Sequence, residues 1–319
     1  MSQERKRQLL IASPRGFCAG VQRAVGVVQR LLETHGTPLY VRKEIVHNQA
    51  VVEDFRKRGV IFIEELSEAP DGSAVVFSAH GISPAVRSEA EARGLRTVDA
   101  TCPLVTRVHK SVIRHAAKDR AIVLIGHAGH DEVEGTMGEA PNKVRLVETV
   151  DDVVNLDLPR ETEIAYVTQT TLSVDETVDV ITALHEHFPN TLSQDKDDIC
   201  YATTNRQAAV KDLVDQGAEH VLVVGSRNSS NSVRLCEVAR QKGAGSSLVD
   251  GPEEVDLAML GSFGVLGLTA GASAPEYVVQ SVADKLAEAG WEPCEVEGTP
   301  ENVTFKMPKE LAAFGDEKQ

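Results

Sequence analysis

The stretch GFCAGVQRAV, residues 16–25, decides how the chain is organised, because a cysteine stands there between a short apolar run and a helix. The run before it, Leu9–Ala12, has the length of a buried strand. In the segment after it, Val21, Ala24, Val25, Val28, Leu31 and Leu32 fall on one face at helical spacing. Two other stretches have the same build, ATCPLVTRVH at 100–109 and DICYATTNRQ at 198–207. Cys18, Cys102 and Cys200 therefore each stand just before a helix, at intervals of 84 and 98 residues, each the size of a small domain.

Apolar runs and helix-period segments alternate along the rest of the chain, which predicts an α/β fold with mainly parallel strands. The clearest strands are Leu9–Ala12, Ala74–Phe77, Ala121–Ile125, Glu163–Val167, His220–Val224 and Phe263–Leu268. The clearest helices are Val21–Leu32, Leu104–Ala117, Val174–His187, Thr204–Gln216, Ser232–Lys242 and Pro275–Ala289. Several strands run into polar endings: SAHGIS, IGHAGHDEVEG, VTQTTLS, VGSRNSSNS and LTAGASAP. In open α/β folds ligands bind at the carboxyl ends of strands, where helix N-termini point inward. Three such units about a pseudo-three-fold axis would bring the three cysteines and these endings to one centre.

The expected domains are 1–100 with Cys18, His47 and His80, 101–196 with Cys102, His130, Glu132 and Thr170, and 197–290 with Cys200, Ser229, Asn231 and Ser273. Residues 291–319 lose periodicity after Glu295 and read as a mobile tail.

Charge narrows the function. The 33 Lys and Arg against 48 Asp and Glu give −15, a field that repels nucleic acid and anionic membranes. Aromatic residues are 4% of the chain, too few for a single-strand reader built on stacked rings. No run approaches the roughly 20 apolar residues of a membrane helix, and the charged start Met1–Arg7 precedes an apolar run too short for a signal peptide. The expectation is a cytoplasmic protein with reduced thiols. Five cysteines without a C-x-x-C pair resemble neither a disulfide framework nor a zinc ribbon.

A thiolate at a helix N-terminus is stabilised by the dipole and by free N–H groups, which favours metal ligation over burial as a core thiol. Three thiolates without a fourth suit a four-iron cluster with one open iron. Cys236 shares a helical face with Leu235 and Ala239 and reads as core, and Cys294 as a bystander. His47, His80 and His130, beside Gly and Asn, suit a pocket for phosphate oxygens, although a lone histidine is more often structural. His109, His115, His185, His187 and His220 read as surface residues. Ser229, Ser230 and Asn231 lie between a strand and a helix, as does Ser273, and their donors suit a diphosphate, while no G-K-[ST] follows to make a Walker loop. Glu132 or Glu134 could supply a proton, and the spacing does not choose between them.

In order, PRGFCAGVQRA, VHN, SAHG, DATCPLVT, GHAGHDEVEGTMGE, TQTTLS, DDICYATTNRQ, GSRNSSNS and TAGASAP resemble the LytB/IspH family, the 4-hydroxy-3-methylbut-2-enyl diphosphate reductases. The resemblance spans Leu10 to Leu286. It implies a trefoil-like set of three α/β domains around one 4Fe-4S cluster held by Cys18, Cys102 and Cys200, with one iron open. It further implies a two-electron, two-proton removal of the allylic hydroxyl as water, giving isopentenyl and dimethylallyl diphosphates at the end of the non-mevalonate (MEP) isoprenoid route. By motif position His47, His80, Ser229, Ser230, Asn231 and Ser273 would hold the diphosphate. Glu132, selected over Glu134, would deliver the proton, with His130 and Thr170 orienting it and the substrate hydroxyl. Electrons would come from a ferredoxin or flavodoxin, and Arg15, Arg23, Arg42 and Lys43 are candidates for a basic dock for such an acidic donor. The competing readings are a non-redox hydro-lyase, an iron–sulfur sensor and a zinc site.

Overall fold

Strand β1 (Gln8–Ala12) alternates its side chains between two cores, which fixes it inside a sheet covered on both faces. Leu9 and Ile11 join Leu222, Leu266 and Val282, while Leu10 and Ala12 join Val221, Val210 and Leu235. The computed structural model describes residues 7–192 and 198–314. The expected boundary at 196/197, Asp197 of the third cysteine motif and the charged residues 1–6 lie outside them.

After β1 come helix α1 (Ala19–Thr34), β2 (Leu39–Arg42), α2 (Gln49–Lys57), β3 (Val60–Ile63), β4 (Ala74–Phe77), α3 (Pro84–Ala92) and β5 (Arg96–Asp99). The middle of the chain gives α4 (Pro103–Ala116), β6 (Ala121–Ile125), α5 (Asp131–Gly138), β7 (Val144–Val147), α6 (Val150–Val154), β8 (Ile164–Thr168) and α7 (Val174–His187). The last part gives α8 (Tyr201–Asp215), β9 (His220–Val224), α9 (Ser230–Gln241), β10 (Gly245–Val249), α10 (Leu257–Leu260), β11 (Val265–Ala270), α11 (Glu276–Glu288) and β12 (Glu292–Val296).

The strands form three parallel sheets in one repeated order. The first is β3-β2-β4-β5. The second is β7-β6-β8, extended beside β8 by a parallel bridge from Ile164 to Thr191. The third is β10-β9-β11-β1, with β12 added at the edge. In each, the segment in fourth place leads to a cysteine: β5 to Cys102, the Thr191 segment to Cys200, and β1 to Cys18.

This order corrects the expected domain contents. Each cysteine belongs to the sheet whose third strand it follows in space: its N–H donates to the loop after β4 (Ala79), β8 (Thr170) or β11 (Ala272). Cys102 goes with His80, Cys200 with His130, Glu132 and Thr170, and Cys18 with Ser229, Asn231 and Ser273. By contacts the described chain forms two units: residues 7–21, 47–54 and 201–304, and residues 22–46, 55–192, 198–200 and 305–314. His47 thus joins the unit of the last sheet, where its carbonyl accepts from Ser273 Oγ at 2.9 Å.

The tail is corrected as well. Glu292–Val296 pairs with β1 along its whole length, and the neighbouring Trp291 is only 2% exposed under the guanidinium of Arg7. Burial of a large side chain of this kind stabilises by roughly 1.5–3 kcal/mol. Further on, Glu301 pairs with Arg206 and Phe314 is buried beside Arg96.

No described helix is long and apolar enough to cross a membrane.

Candidate active site

Each cysteine is tied by its backbone N–H to the strand-ending loop of its own sheet. Cys18 N–H donates to the Ala272 carbonyl at 3.1 Å, Cys102 N–H to Ala79 at 3.0 Å, and Cys200 N–H to Thr170 at 3.1 Å. The three acceptors lie in TAGASAP, SAHG and TQTTLS, so every cysteine is anchored next to a candidate substrate residue: Ser273, His80 or Thr170 itself. None of the three is in a disulfide, all three are half-buried, and all three stand at or just before a helix N-terminus. Such a donor set fits ligation of iron. Cys236 does not compete, since burial pushes its thiol up to about 11.

Residues 126–173 build the acid. His130 caps α5 and accepts from the Glu132 N–H through Nδ1 at 3.1 Å, which leaves Nε2 as the protonated nitrogen of the neutral ring. Glu132, one residue into the first turn, is 3% exposed. Its two oxygens accept from Thr170 N–H at 2.7 Å and from Thr170 Oγ1 at 2.9 Å, the partners that a buried carboxyl needs. Glu134 lies exposed on the same helix, so geometry separates two carboxylates that spacing could not. Gln169 braces the neighbouring loop, accepting from His127 N–H at 3.0 Å and donating to Thr171 Oγ1 at 2.9 Å.

His80 stands edge-on to His130, ring centres 5.9 Å apart, with its Nδ1 3.3 Å from Ser78 Oγ. Two glycines permit this approach. Gly81 has φ +92°, and a side chain on Gly135 would come within 3.2 Å of the Gly81 backbone. Asp131 lies 3.8 Å from His80 Nδ1 and 3.8 Å from Lys43 Nζ.

In the other unit Ser229 caps α9, lies 3.4 Å from Ser273 across their hydroxyls, and accepts from Ser232 Oγ at 3.0 Å. Asn231 is fixed by the Ala272 N–H, which donates to its Oδ1 at 2.8 Å, and by its own donation to Thr203 at 3.3 Å. Ser229, Asn231 and Ser273 are buried and Ser230 half-buried at the same helix start. Hydroxyls, an amide and helix N–H groups of this kind can receive phosphate oxygens.

The expected dock is not a set of free cations. Arg15 pairs with Glu276 and Glu295, Arg42 with Glu65, and Lys43 with Glu64, while Arg23 donates to the carbonyls of Asp99, Thr101 and Lys306. Arg15, Arg42 and Lys43 are thus paired with carboxylates of the chain itself. His109 and His220 are also buried instead of lying at the surface, His109 against Glu139 and His220 stacked on Phe263. Nor does the reading by motif find Arg206. It is fully buried and donates five hydrogen bonds, to Gly16, Ala202 and Glu301, in the unit that holds Cys18. The signal for it is an arginine five or six residues after each of Cys18, Cys102 and Cys200: Arg23, Arg107 and Arg206.

The family model for LytB protein matches residues 9–287. The chain belongs to the LytB family. This LytB chain is 53% identical over 315 residues to the 4-hydroxy-3-methylbut-2-enyl diphosphate reductase of Neisseria meningitidis, covering 98% of each. It is 52% identical to the reductase of the same name from Actinobacillus succinogenes, covering 95% of this chain and 98% of that one. The solved structure of the E-1-hydroxy-2-methyl-but-2-enyl-4-diphosphate reductase from Plasmodium falciparum superimposes with a TM-score of 0.94 at 38% identity, covering 97% of this chain and 98% of that one. A second structure, of an (E)-4-hydroxy-3-methyl-but-2-enyl diphosphate reductase, gives 0.64 at 29% identity over 88% and 99% of the two chains.

Proposed function

We propose that this chain reduces (E)-4-hydroxy-3-methylbut-2-enyl diphosphate to isopentenyl and dimethylallyl diphosphates, the last step of the MEP route, in the cytoplasm. The observation that carries the reading is Glu132, a buried carboxyl held at both oxygens by Thr170 one hydrogen bond away from Cys200. The balance is one substrate, two electrons and two protons in, one C5 diphosphate and one water out. The electrons come from a ferredoxin- or flavodoxin-type donor.

Cys18, Cys102 and Cys200 would hold one 4Fe-4S cluster, and the three sheets, each ending in one cysteine, would be disposed about it with pseudo-three-fold symmetry. When bound, the cluster supplies electrons and, at its open iron, Lewis acidity toward the allylic oxygen. The protein's own groups do the rest. His47, His80, Ser229, Ser230, Asn231 and Ser273 hold the diphosphate, converting its binding energy into placement of the hydroxyl. Glu132 gives the proton that lets the hydroxyl leave as water. Thr170 holds Glu132 through both oxygens and leaves its own hydroxyl oxygen free to accept from the substrate. His130, with Nδ1 committed to the backbone, offers Nε2–H to the same region.

The test is anaerobic turnover of the hydroxylated diphosphate with a chemical reductant. Both C5 diphosphates are expected, and only when reductant is present. Protein with full iron and sulfide that yields neither product would end the assignment, and turnover without reductant would point to a hydro-lyase.

A further inference from the structure

The helix that starts at each cysteine carries an arginine that reaches the backbone or acid just ahead of another cysteine. Arg23, five residues after Cys18, donates through Nη1 to the Thr101 carbonyl at 3.0 Å, immediately before Cys102. Its Nη2 reaches the Asp99 carbonyl at 3.4 Å. Arg107, five residues after Cys102, stands 3.7 Å from the buried carboxylate of Asp198, two residues before Cys200. Arg206, six residues after Cys200, donates through Nε at 3.2 Å and Nη2 at 2.7 Å to the Gly16 carbonyl, two residues before Cys18. Followed from cysteine to cysteine, the contacts close on themselves: 18 to 102, 102 to 200, and 200 to 18.

The three grips differ in strength. Arg206 is fully buried, and its five N–H donors are matched by five bonds, with Glu301 supplying the counter-charge at 2.9 Å. Tyr201 adds to it by accepting the Ala19 N–H at 3.2 Å. Together with Gly16 N–H to Ala270 and Cys18 N–H to Ala272, this pins Gly16–Ala19 at four backbone points. Arg23 is intermediate, with three carbonyls. Arg107 is half-exposed and makes one longer ion pair. A planar guanidinium suits the task because it fixes a carbonyl from two directions and cannot lose its charge.

We propose that Arg23, Arg107 and Arg206 are positioning residues for the cysteine ligands, each set by the helix of one cysteine to hold the approach to another. This rests on the reading of Cys18, Cys102 and Cys200 as the ligands of one cluster. Outer-shell partners of metal ligands typically contribute 10–100-fold in metal affinity. Arg206, which makes the most bonds, sets the upper end of that range here, followed by Arg23 and then Arg107.

The test uses anaerobically prepared holoprotein of the wild type, Arg206→Lys, Arg206→Met, Arg23→Met, Arg107→Met and the single Cys→Ala variants. Iron and sulfide per chain, the electron paramagnetic resonance spectrum after reduction, and the rate of iron loss to a chelator are measured beside the melting curve. Iron loss is expected to be about 10–100-fold faster in Arg206→Met, less so in Arg23→Met and least in Arg107→Met, with an altered spectrum and partial recovery in Arg206→Lys. If Arg206→Met does not fold, Arg206→Lys and Arg23→Met decide. Arginine variants with wild-type loss rates and spectra, or rates that merely follow melting temperature, would overturn the proposal. Cys→Ala variants that keep full iron would instead overturn the ligand reading beneath it.

Discussion

Both carboxylate oxygens of Glu132 are occupied by one residue, Thr170, through its N–H at 2.7 Å and its hydroxyl at 2.9 Å. The same residue's carbonyl receives the Cys200 N–H at 3.1 Å. Thr170 therefore ties the candidate acid to a candidate cluster ligand through a single backbone unit, and a shift of either is felt by the other.

This tie predicts two separable losses. Glu132→Gln keeps the shape but cannot give up a carboxylic proton, so turnover should fall by about 10²–10⁴-fold with cluster content unchanged. Thr170→Val keeps the N–H bond and removes the hydroxyl bond. A hydrogen bond to a charged group contributes about 1.5–3 kcal/mol, so kcat/KM should drop about 10–100-fold. Steady-state rates on protein of measured iron content check both; a Glu132→Gln enzyme of wild-type rate would remove Glu132 from the acid role.

How far such a tie is legible in the sequence depends on which link carries it. The strands Ala74–Phe77, Ala121–Ile125 and His220–Val224 can be read with their boundaries, because parallel strands covered on both faces are unbroken apolar runs. RTVD, GSSLV and EPCEV escape that reading because β5, β10 and β12 lie at sheet edges and bury less. The cysteines, Glu132 and the serines announce themselves by residue type at element junctions. What the linear order hides is which sheet each cysteine joins, since β1, which leads to Cys18, pairs with β11 some 250 residues away. Arg206 stays hidden for a related reason: its partners, Gly16 and Glu301, are distant in sequence and one is a backbone carbonyl.

Trp291 is the chain's one tryptophan and sits in the core of the β1 sheet. Trp291→Ala should lower stability by about 3–5 kcal/mol, as large-to-small core changes do. A chain ended at Gly290 should lose more, since β12 goes with it. Urea unfolding followed by circular dichroism measures the first. In the wild type, tryptophan emission reports the same unit directly. A truncated chain with an unchanged midpoint would mean that residues 291–319 are the loose tail their composition suggests.

Burial pushes His109 and His220 below the ordinary imidazole value of 6.5, in His109 against the opposing pull of Glu139 and in His220 with help from Arg240. Both rings therefore take up a proton less readily in the fold than in the unfolded chain, which takes up protons as pH falls through about 6.5. The unfolded state then binds more protons, so stability is full above that value and declines below it. The urea midpoint should fall between pH 7.5 and pH 5.5. His220→Gln, which keeps a donor for Ser247, should flatten that decline. A midpoint that rises on acidification would contradict the direction assigned to both rings.

The thiols offer the sharpest contrast within one chain. Cys18, Cys102 and Cys200 are half-buried beside helix N-termini, Cys236 is buried with its thiol pushed up to about 11, and Cys294 is exposed on the edge strand β12. At pH 7 the Cys236 sulfur stays a thiol and cannot serve as a thiolate ligand. Cys18→Ser, Cys102→Ser and Cys200→Ser should each lower bound iron and sulfide severely, because a three-cysteine cluster has no spare ligand. Cys236→Ser and Cys294→Ser should keep wild-type content, with Cys236→Ser losing only stability. Iron and sulfide analysis of the five anaerobically purified variants checks this. Loss of iron in Cys294→Ser but not in Cys18→Ser would place the cluster elsewhere, and with it the acid, the anchors and the reaction proposed for them.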